Sequence, residues 1–192
     1  MSQYQTVPLP DGSVQVGLFP TIDWFQKIMC LVDFSNARVL DLGCCQFSYG
    51  IQALHQGAKE VIGVDHDRDR VLESRRNIQL WRMEHRAAVI PVDALDYIES
   101  RYDSYDVVIV GMLLHWIPEN RAEHFLKCAQ RQATQKLVLI YRQPTSDGAG
   151  YCPTEMQLDS LLGMSGIHVS LMNTETQKIG LAVFDARKRG SN

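Results

Sequence analysis

Five short apolar runs lie between residues 38 and 141, and segments with helical spacing of apolar residues separate them. The runs are continuous rather than alternating, which is typical of strands buried on both faces of a parallel sheet. Strands that alternate with helices through right-handed crossovers build a doubly wound sheet. The predicted strands are Arg38–Leu42, Glu60–Val64, Ala88–Val92, Tyr105–Val110 and Lys136–Tyr141.

Helices are predicted before, between and after these strands. They are Thr21–Asp33, Tyr49–Gln56, Arg68–Leu80, Leu95–Ile98, Glu119–Arg131 and one that begins near Thr154, where Thr154 and Gln157 match a capping box. Two final strands, Ile167–Met172 and Lys178–Asp185, have only the polar turn Asn173–Gln177 between them. We therefore predict an α/β fold: a doubly wound, seven-stranded, mostly parallel sheet with helices on both faces and a C-terminal antiparallel β-hairpin.

The length and charge of the chain narrow its organisation and its partners. One hundred and ninety-two residues suit a single domain, 1–192, in which residues 1–35 form an arm and a helix that could cover a site. The first dozen residues are expected to be a loop or loose arm. A net charge of −3 gives no electrostatic reason to expect nucleic acid as a partner, and the arginines of residues 68–86 alternate with acidic residues.

Membrane and redox features point to a cytoplasmic protein. The sequence has neither an apolar run of roughly 18 residues nor a signal peptide, so no membrane span is expected. The five cysteines are odd in number and lack paired C-x-x-C spacing. They are therefore expected to be reduced thiols rather than disulfides or zinc ligands.

Small and acidic residues follow four successive predicted strands, and ligands of open parallel sheets bind beyond such strand ends. Gly43 permits a tight turn, and the helix after it would present free amides to a polar ligand. Asp65 is placed to accept ribose hydroxyls. Asp93 could accept from an adenine amino group, and the Ala94 amide could donate to a ring nitrogen. One acidic residue at a strand end is more often a cap, so the weight rests on the series: Asp41 and Gly43, Asp65, Asp93 and Ala94, and Gly111.

The segments VLDLGCCQFSYGI, VIGVDHD, PVDALDY and YDVVIVGMLLHWI resemble the ordered motifs of class I S-adenosylmethionine-dependent methyltransferases. The resemblance runs from about Arg38 to the C-terminus. It implies S-adenosylmethionine as cofactor, S-adenosylhomocysteine as product, and no metal. It further implies that the methionine part is held by Asp41, Gly43, Cys44 and Cys45, the ribose by Asp65, and the adenine by His66, Asp93, Ala94 and the Gly111 carbonyl.

The turn after the first strand departs from the family pattern of three alternating glycines. Only Gly43 is kept, and Cys45 and Phe47 occupy the other two positions. Cys45 is small enough to substitute with modest strain, whereas Phe47 requires another solution. A dinucleotide-binding enzyme is disfavoured, because its G-x-G-x-x-G pattern needs glycines where Cys45 and Ser48 stand.

His115, in the stretch LLHWIPE, is the candidate general base, because an imidazole with a pKa of roughly 6.5 suits that role near neutral pH. The alternative is that it only lines the pocket. Trp116 could form a wall of the site or cover the core. Metal assistance is not expected, because the fourth strand ends on Gly111 without a carboxylate cluster.

Three functions stay open at this level. The first is methyl transfer to a small molecule, which LLHWIPE favours. The second is modification of tRNA, against which the acidic net charge speaks. The third is a non-catalytic module that binds S-adenosylmethionine. Few segments of this chain are available to cover the site, so the second subunit of a homodimer or a partner protein could cover it.

Overall fold

The computed structural model describes residues 3–144, 151–174 and 177–188, and nine strands and six α-helices lie in them. The strands are β1 Val7–Pro8, β2 Val14–Gln15, β3 Arg38–Leu42, β4 Glu60–Asp65, β5 Ala87–Pro91, β6 Tyr105–Gly111, β7 Ala133–Arg142, β8 Ile167–Asn173 and β9 Lys178–Asp185. The helices are α1 Thr21–Met29, α2 Ser48–His55, α3 Arg68–Leu80, α4 Ala94–Ser100, α5 Glu119–Gln132 and α6 Glu155–Leu162.

Seven of these strands form one sheet in the order β5-β4-β3-β6-β7-β9-β8, flanked by helices. The predicted α/β fold with its C-terminal antiparallel hairpin is confirmed. Most of β3, β6 and β7 is buried, as continuous apolar runs require. The capping box at Thr154 is present, with the Thr154 side chain and Gln157 bonding reciprocally.

The chain divides into two compact units, Met1–Ala94 and Leu95–Asn192. In the first unit, β3 pairs with β4 and β4 with β5, all parallel, and Asp65 pairs with Pro91. Parallel pairing brings the carboxyl ends of these three strands to the same edge. In the second unit β6 pairs with β7 in parallel, whereas β9 pairs antiparallel with both β7 and β8. The single-domain organisation stays a prediction.

Two expectations about the N-terminal region were wrong. The helix α1 ends at Met29 rather than Asp33: the Leu31 and Val32 amides both donate to the Ile28 carbonyl just past the helix end, and Asp33 accepts a hydrogen bond from the Ser35 amide (2.9 Å) in a turn of its own. The first dozen residues are not a loose arm, since β1 and β2 form a small antiparallel pair. Val7 is fully buried, and Gln5 forms a bridge with Phe19.

The remaining differences are small shifts at element ends. The most marked is β7, which begins at Ala133 rather than Lys136, because Ala133 already pairs with Tyr105 across an irregular step. In the part of the chain that the structure describes, every helix is too short or too polar to cross a membrane. All five cysteines are free thiols in the structure.

Candidate functional site

The turn between β3 and α2, residues 43–47, adopts the left-handed conformation at every second residue. The φ angles are +72° at Gly43, +51° at Cys45 and +67° at Phe47. A residue with a Cβ pays roughly 1–2 kcal/mol for this conformation. The turn therefore keeps the backbone path that three glycines would take, and its surroundings must offset the strain at Cys45 and Phe47. We call it the β3–α2 turn.

Buried side chains of α3 hold the carbonyl groups of this turn. The Ser74 hydroxyl donates to the Cys45 carbonyl, and the Asn77 side-chain amide donates to the Gln46 carbonyl at 2.9 Å. The Gln46 side chain in turn donates to Glu73 at 3.1 Å. Ser74 and Asn77 are one helical turn apart and both buried, so α3 presents them on one face.

The structure accommodates the Phe47 side chain at the position where the family pattern has its third glycine. The ring is fully buried, and it lies where Gly50 of α2 and Gly63 of β4 have no side chain. A Cβ at Gly63 would come within 2.8 Å of the ring, and one at Gly50 would collide with it. Two glycines outside the turn thus make room for the phenylalanine inside it.

The N-terminal segment closes the other side of the turn. The backbone N–H of Gln5 donates to the side-chain oxygen of Gln46 at 3.1 Å. The side-chain oxygen of Gln5 accepts from the backbone N–H of Ser48, also at 3.1 Å. The Ser48 and Thr21 hydroxyls both donate to the Thr6 carbonyl at 2.7 Å. Phe47 has no polar side chain with which to cap α2, so Gln5 caps the first amide of that helix.

Most amides of the turn are already used, whereas the Tyr49 and Gly50 amides in the first turn of α2 have no partner among the described residues, so the expectation of free amides at the start of α2 stays a prediction. Gly43 and Cys44 donate to the Val64 carbonyl, at 2.9 and 3.1 Å. Phe47 donates to the Cys44 carbonyl at 2.7 Å, and Ser48 donates to Gln5.

Asp65, at the end of β4, stabilises the same turn. One carboxylate oxygen accepts from the Cys45 amide at 2.9 Å, and the other accepts from the Asp67 amide at 3.0 Å. A carboxylate has about four acceptor positions, so both oxygens retain capacity for ribose hydroxyls. His66, which follows, is exposed, and Asp67 caps α3.

Asp41 is completely buried at the end of β3, and neither carboxyl oxygen has a partner among the described residues. Burial, and then the charge of Asp65, raises the pKa of Asp41 to about 8. The group is therefore mostly protonated at neutral pH. An unpaired buried carboxyl is costly, so its persistence beside the turn indicates a place for a polar ligand.

The neighbouring thiols are not reactive nucleophiles. Burial raises the pKa of Cys44 well above its usual value and that of Cys45 to about 12. The Cys45 thiol donates to Gln46 at 2.7 Å. Since thiolate is the reactive form, both cysteines shape the turn rather than perform chemistry. In residues 3–144, 151–174 and 177–188, no group of three or more His, Cys, Asp or Glu side chains could hold a metal ion.

Asp93 and Ala94 follow β5, two and three residues after Pro91, the partner of Asp65. Asp93 is exposed, and Ala94 is the first residue of α4 and is buried. They thus stand at the edge of the first unit that also carries Asp65. The structure brings Asp41, Gly43, Cys44, Cys45 and Asp65 into one cluster, with Asp93 and Ala94 at the next strand end.

Gly111 and His115 belong to the second unit. Gly111 ends β6, and His115 lies in a short 3-10 turn, Leu114–Trp116. Burial, and then the charge of Arg142, lowers the pKa of His115 to about 4. The imidazole is therefore neutral at pH 7, and its buried Nδ1 has no partner within the described residues. Trp116 beside it is 74% exposed, so it does not cover the core.

Comparison with known proteins decides the family. The model of the methyltransferase domain family matches residues 39–135, which is half of the chain. The chain belongs to this family. The predicted membership of the methyltransferases is thereby confirmed.

Solved structures of the same fold and one curated relative accompany this match. Magnesium protoporphyrin IX methyltransferase from Synechocystis has a TM-score of 0.66 at 20% identity, covering 85% of this chain and 76% of that one. TehB from Haemophilus influenzae has a TM-score of 0.68 at 14% identity, and the match covers 89% of this chain and 63% of TehB. A putative RNA methyltransferase from Pyrococcus horikoshii has a TM-score of 0.63 at 17% identity, and the match covers 87% of this chain and 80% of that protein.

The curated relative is ribosomal protein L11 methyltransferase from Agathobacter rectalis, 34% identical over 80 residues. The matched region is 39% of this methyltransferase and 25% of that protein, so the chain spans about a quarter of its relative.

Sequence reasoning missed Gln5, Ser74 and Asn77 as residues of this region. Polar residues with local hydrogen-bonding roles leave no periodic signal. Gly63 was the available signal, because a glycine inside a buried strand marks a close approach by another group.

Proposed function

We propose that this methyltransferase transfers the methyl group of S-adenosylmethionine to a small-molecule acceptor. Asp41, Gly43, Cys44 and Cys45 would hold the methionine part, Asp65 the ribose, and His66, Asp93, Ala94 and the Gly111 carbonyl the adenine. The observation that carries the cofactor assignment is the buried Asp41 carboxyl, which has no partner among the described residues and stands beside a turn held from two sides.

The residues of this chain fit the cofactor. The sulfonium of S-adenosylmethionine supplies an activated methyl group, so positioning of the acceptor can provide much of the acceleration. The β3–α2 turn is held by α3 and by Gln5, which preorganises it for a ligand. Asp65 adds two acceptor oxygens at the next strand end.

His115 is proposed to contact the acceptor. Because its pKa is about 4, the ring is neutral at physiological pH and can accept a hydrogen bond from an acceptor hydroxyl or amine. So low a pKa makes it a weak base. The ring therefore orients the nucleophile and takes up its proton only as the methyl group is transferred.

A small acceptor is supported by three observations. The net charge of −3 gives no field to attract nucleic acid. The exposed Trp116 indole beside His115 offers an aromatic surface for an organic acceptor. The Synechocystis relative in fold is a magnesium protoporphyrin IX methyltransferase. A cytoplasmic location, and a homodimer or partner protein that covers the site, stay predictions.

The experiment is calorimetric titration with S-adenosylmethionine and S-adenosylhomocysteine, followed by turnover assays with metabolite pools and with tRNA. Micromolar binding and turnover of a metabolite would support the proposal. Turnover with tRNA alone would replace it by RNA modification. Binding without turnover of either would favour a non-catalytic module, and absence of binding would refute the assigned cofactor residues.

A further inference from the structure

Three apolar side chains of the N-terminal segment are open to solvent at every second residue. Val14, Val16 and Leu18 are 49%, 74% and 69% exposed, and they are three of the nine large apolar side chains that are exposed in the described ranges. Val14 and Val16 lie on the same face of the extended segment, and Leu18 follows at the bend after it. Scattered exposed apolar residues are normal, whereas three this close together form a stripe that marks an interaction surface.

The strand β2 has one edge without a neighbour. The small sheet has two strands, so β1 covers only one side of β2. After β2, the Gly17 amide donates to the Thr6 hydroxyl at 3.1 Å and the Leu18 amide donates to the Gln3 carbonyl at 3.0 Å, both towards the segment that leads into β1. Neither the backbone N–H nor the C=O of Val16 has a partner among the described residues. Since backbone groups alternate in direction along an extended chain, Val16 directs both of them to the open edge.

This edge lacks the features that usually prevent strands of different molecules from pairing. Natural edge strands carry charged side chains, prolines or bulges. Residues 13–18 read SVQVGL and include neither a charge nor a proline, whereas Pro8 and Pro10 stand in and after β1. The segment is also held in place within one copy, because the Gly17 and Leu18 amides are bonded, so pairing costs little conformational entropy.

The order of the side chains selects a second copy of this chain as the partner. In an antiparallel pair with a twofold axis at Val16, this residue lies opposite Val16 of the second copy, and Val14 lies opposite Leu18 of the second copy. Every apolar side chain then meets an apolar side chain, and the two Val16 residues exchange their free backbone hydrogen bonds. A one-residue slip would instead place Val16 opposite Gly17 or Gln15. Because residues 13–18 carry no charge, two copies do not repel each other, and no charge favours a different protein.

We propose that two copies of this chain pair antiparallel through the open edges of β2, with Val16 on the twofold axis, and form a four-stranded sheet across the dimer. The contact is small, since three side chains and one exchanged pair of backbone hydrogen bonds bury far less than the roughly 800 Å² per partner of a standard interface. The dimer is therefore weak, with an expected dissociation constant on the order of 10–100 µM. The pairing lies within the first unit and needs neither cofactor nor acceptor, so it is independent of the proposed function.

Sedimentation velocity at protein concentrations from about 5 to about 500 µM tests the pairing, in a range that brackets the expected dissociation constant. A reducing agent is present throughout, because the exposed Cys30 could otherwise link two copies by a disulfide. The wild type should change from monomer to dimer across this range. Val16→Lys places two like charges opposite each other on the twofold axis and should weaken association at least about tenfold.

Leu72→Lys is the matched control, because it introduces the same charge at a 62% exposed apolar side chain of α3, in the same unit. It should leave association unchanged. Val16→Pro keeps an apolar side chain and removes the N–H that the pairing uses, so it should also abolish the dimer. Its melting temperature should stay near that of the wild type, since this N–H has no partner among the described residues of one copy. The inference is overturned if the wild type stays monomeric at the highest concentration, if either Val16 variant dimerises like the wild type, or if Leu72→Lys loses the dimer as well.

Discussion

The buried carboxyl of Asp41 makes the stability of the fold depend on pH. Its pKa rises from 3.8 to about 8 in the folded chain, first because of burial and then because of Asp65. Between these values the folded state keeps the proton that the unfolded state has lost. The stabilising contribution is therefore complete below pH 3.8 and is lost as pH rises towards 8. Each pH unit in this window lowers the free energy of unfolding by about 1.4 kcal/mol.

Asp41→Asn removes this dependence and keeps the side-chain volume. Between pH 5 and pH 7 the free energy of unfolding of the wild type should fall by about 2.7 kcal/mol more than that of the variant. The two pH values are two units apart, and each unit contributes about 1.36 kcal/mol. The other titrating groups are common to both proteins and cancel in the difference. Urea unfolding followed by tryptophan fluorescence at pH 5, 6 and 7 measures it.

The control for loss of one negative charge is Asp103→Asn, which removes an exposed carboxylate with only a surface ion pair to Arg101 at 3.6 Å. Its stability should follow that of the wild type at all three pH values. If the curves of Asp41→Asn and the wild type run parallel within about 0.5 kcal/mol, well below the change expected from linkage, then Asp41 is not protonated in the fold and the reasoning fails.

Four further outcomes follow from the same region and from His115. Asp41, with a pKa of about 8, is about 0.9 protonated at pH 7, so binding of S-adenosylhomocysteine, whose ammonium would favour the ionised carboxylate, should release up to about 0.9 proton, seen as a binding enthalpy that varies with the ionisation enthalpy of the buffer. Phe47→Ala should lower the free energy of unfolding by about 3–5 kcal/mol in urea titrations, since it empties the space beside Gly50 and Gly63. Gln5→Ala should cost about 1 kcal/mol of stability and weaken S-adenosylhomocysteine binding, whereas Gln15→Ala, on the exposed part of the same segment, should do neither. With its pKa lowered to about 4, His115 should give kcat/KM no inflection between pH 5.5 and 7.5, and an inflection there that His115→Gln abolishes would contradict the neutral ring.

The strands were predictable because burial on both faces leaves a continuous apolar run, as in YDVVIV of β6. The carboxylates at strand ends were predictable because parallel strands bring those ends to one edge, which places Asp65 near the end of β5. The sequence predicted the strain at Phe47 but not its relief, which depends on Gly50 and Gly63 meeting one ring in space.

The N-terminal contacts were not predictable for a different reason. Gln5 reaches Gln46 and Ser48 across 41 and 43 residues of sequence. Such a contact depends on where two distant segments meet after folding. A single glutamine forms no periodic pattern or motif from which these contacts could be predicted, so the segment was expected to be a loose arm.

The cap that Gln5 places on α2 changes how natural variation in this protein should be interpreted. The family signature begins at residue 39, whereas the residues that hold its central turn in place begin at residue 5. A substitution at Gln5 or Thr6 would be scored as a harmless change in a leader segment by any method that weighs only the signature. Such a substitution would weaken binding of the cofactor, so the first twenty residues should be considered together with the motif when variants are ranked.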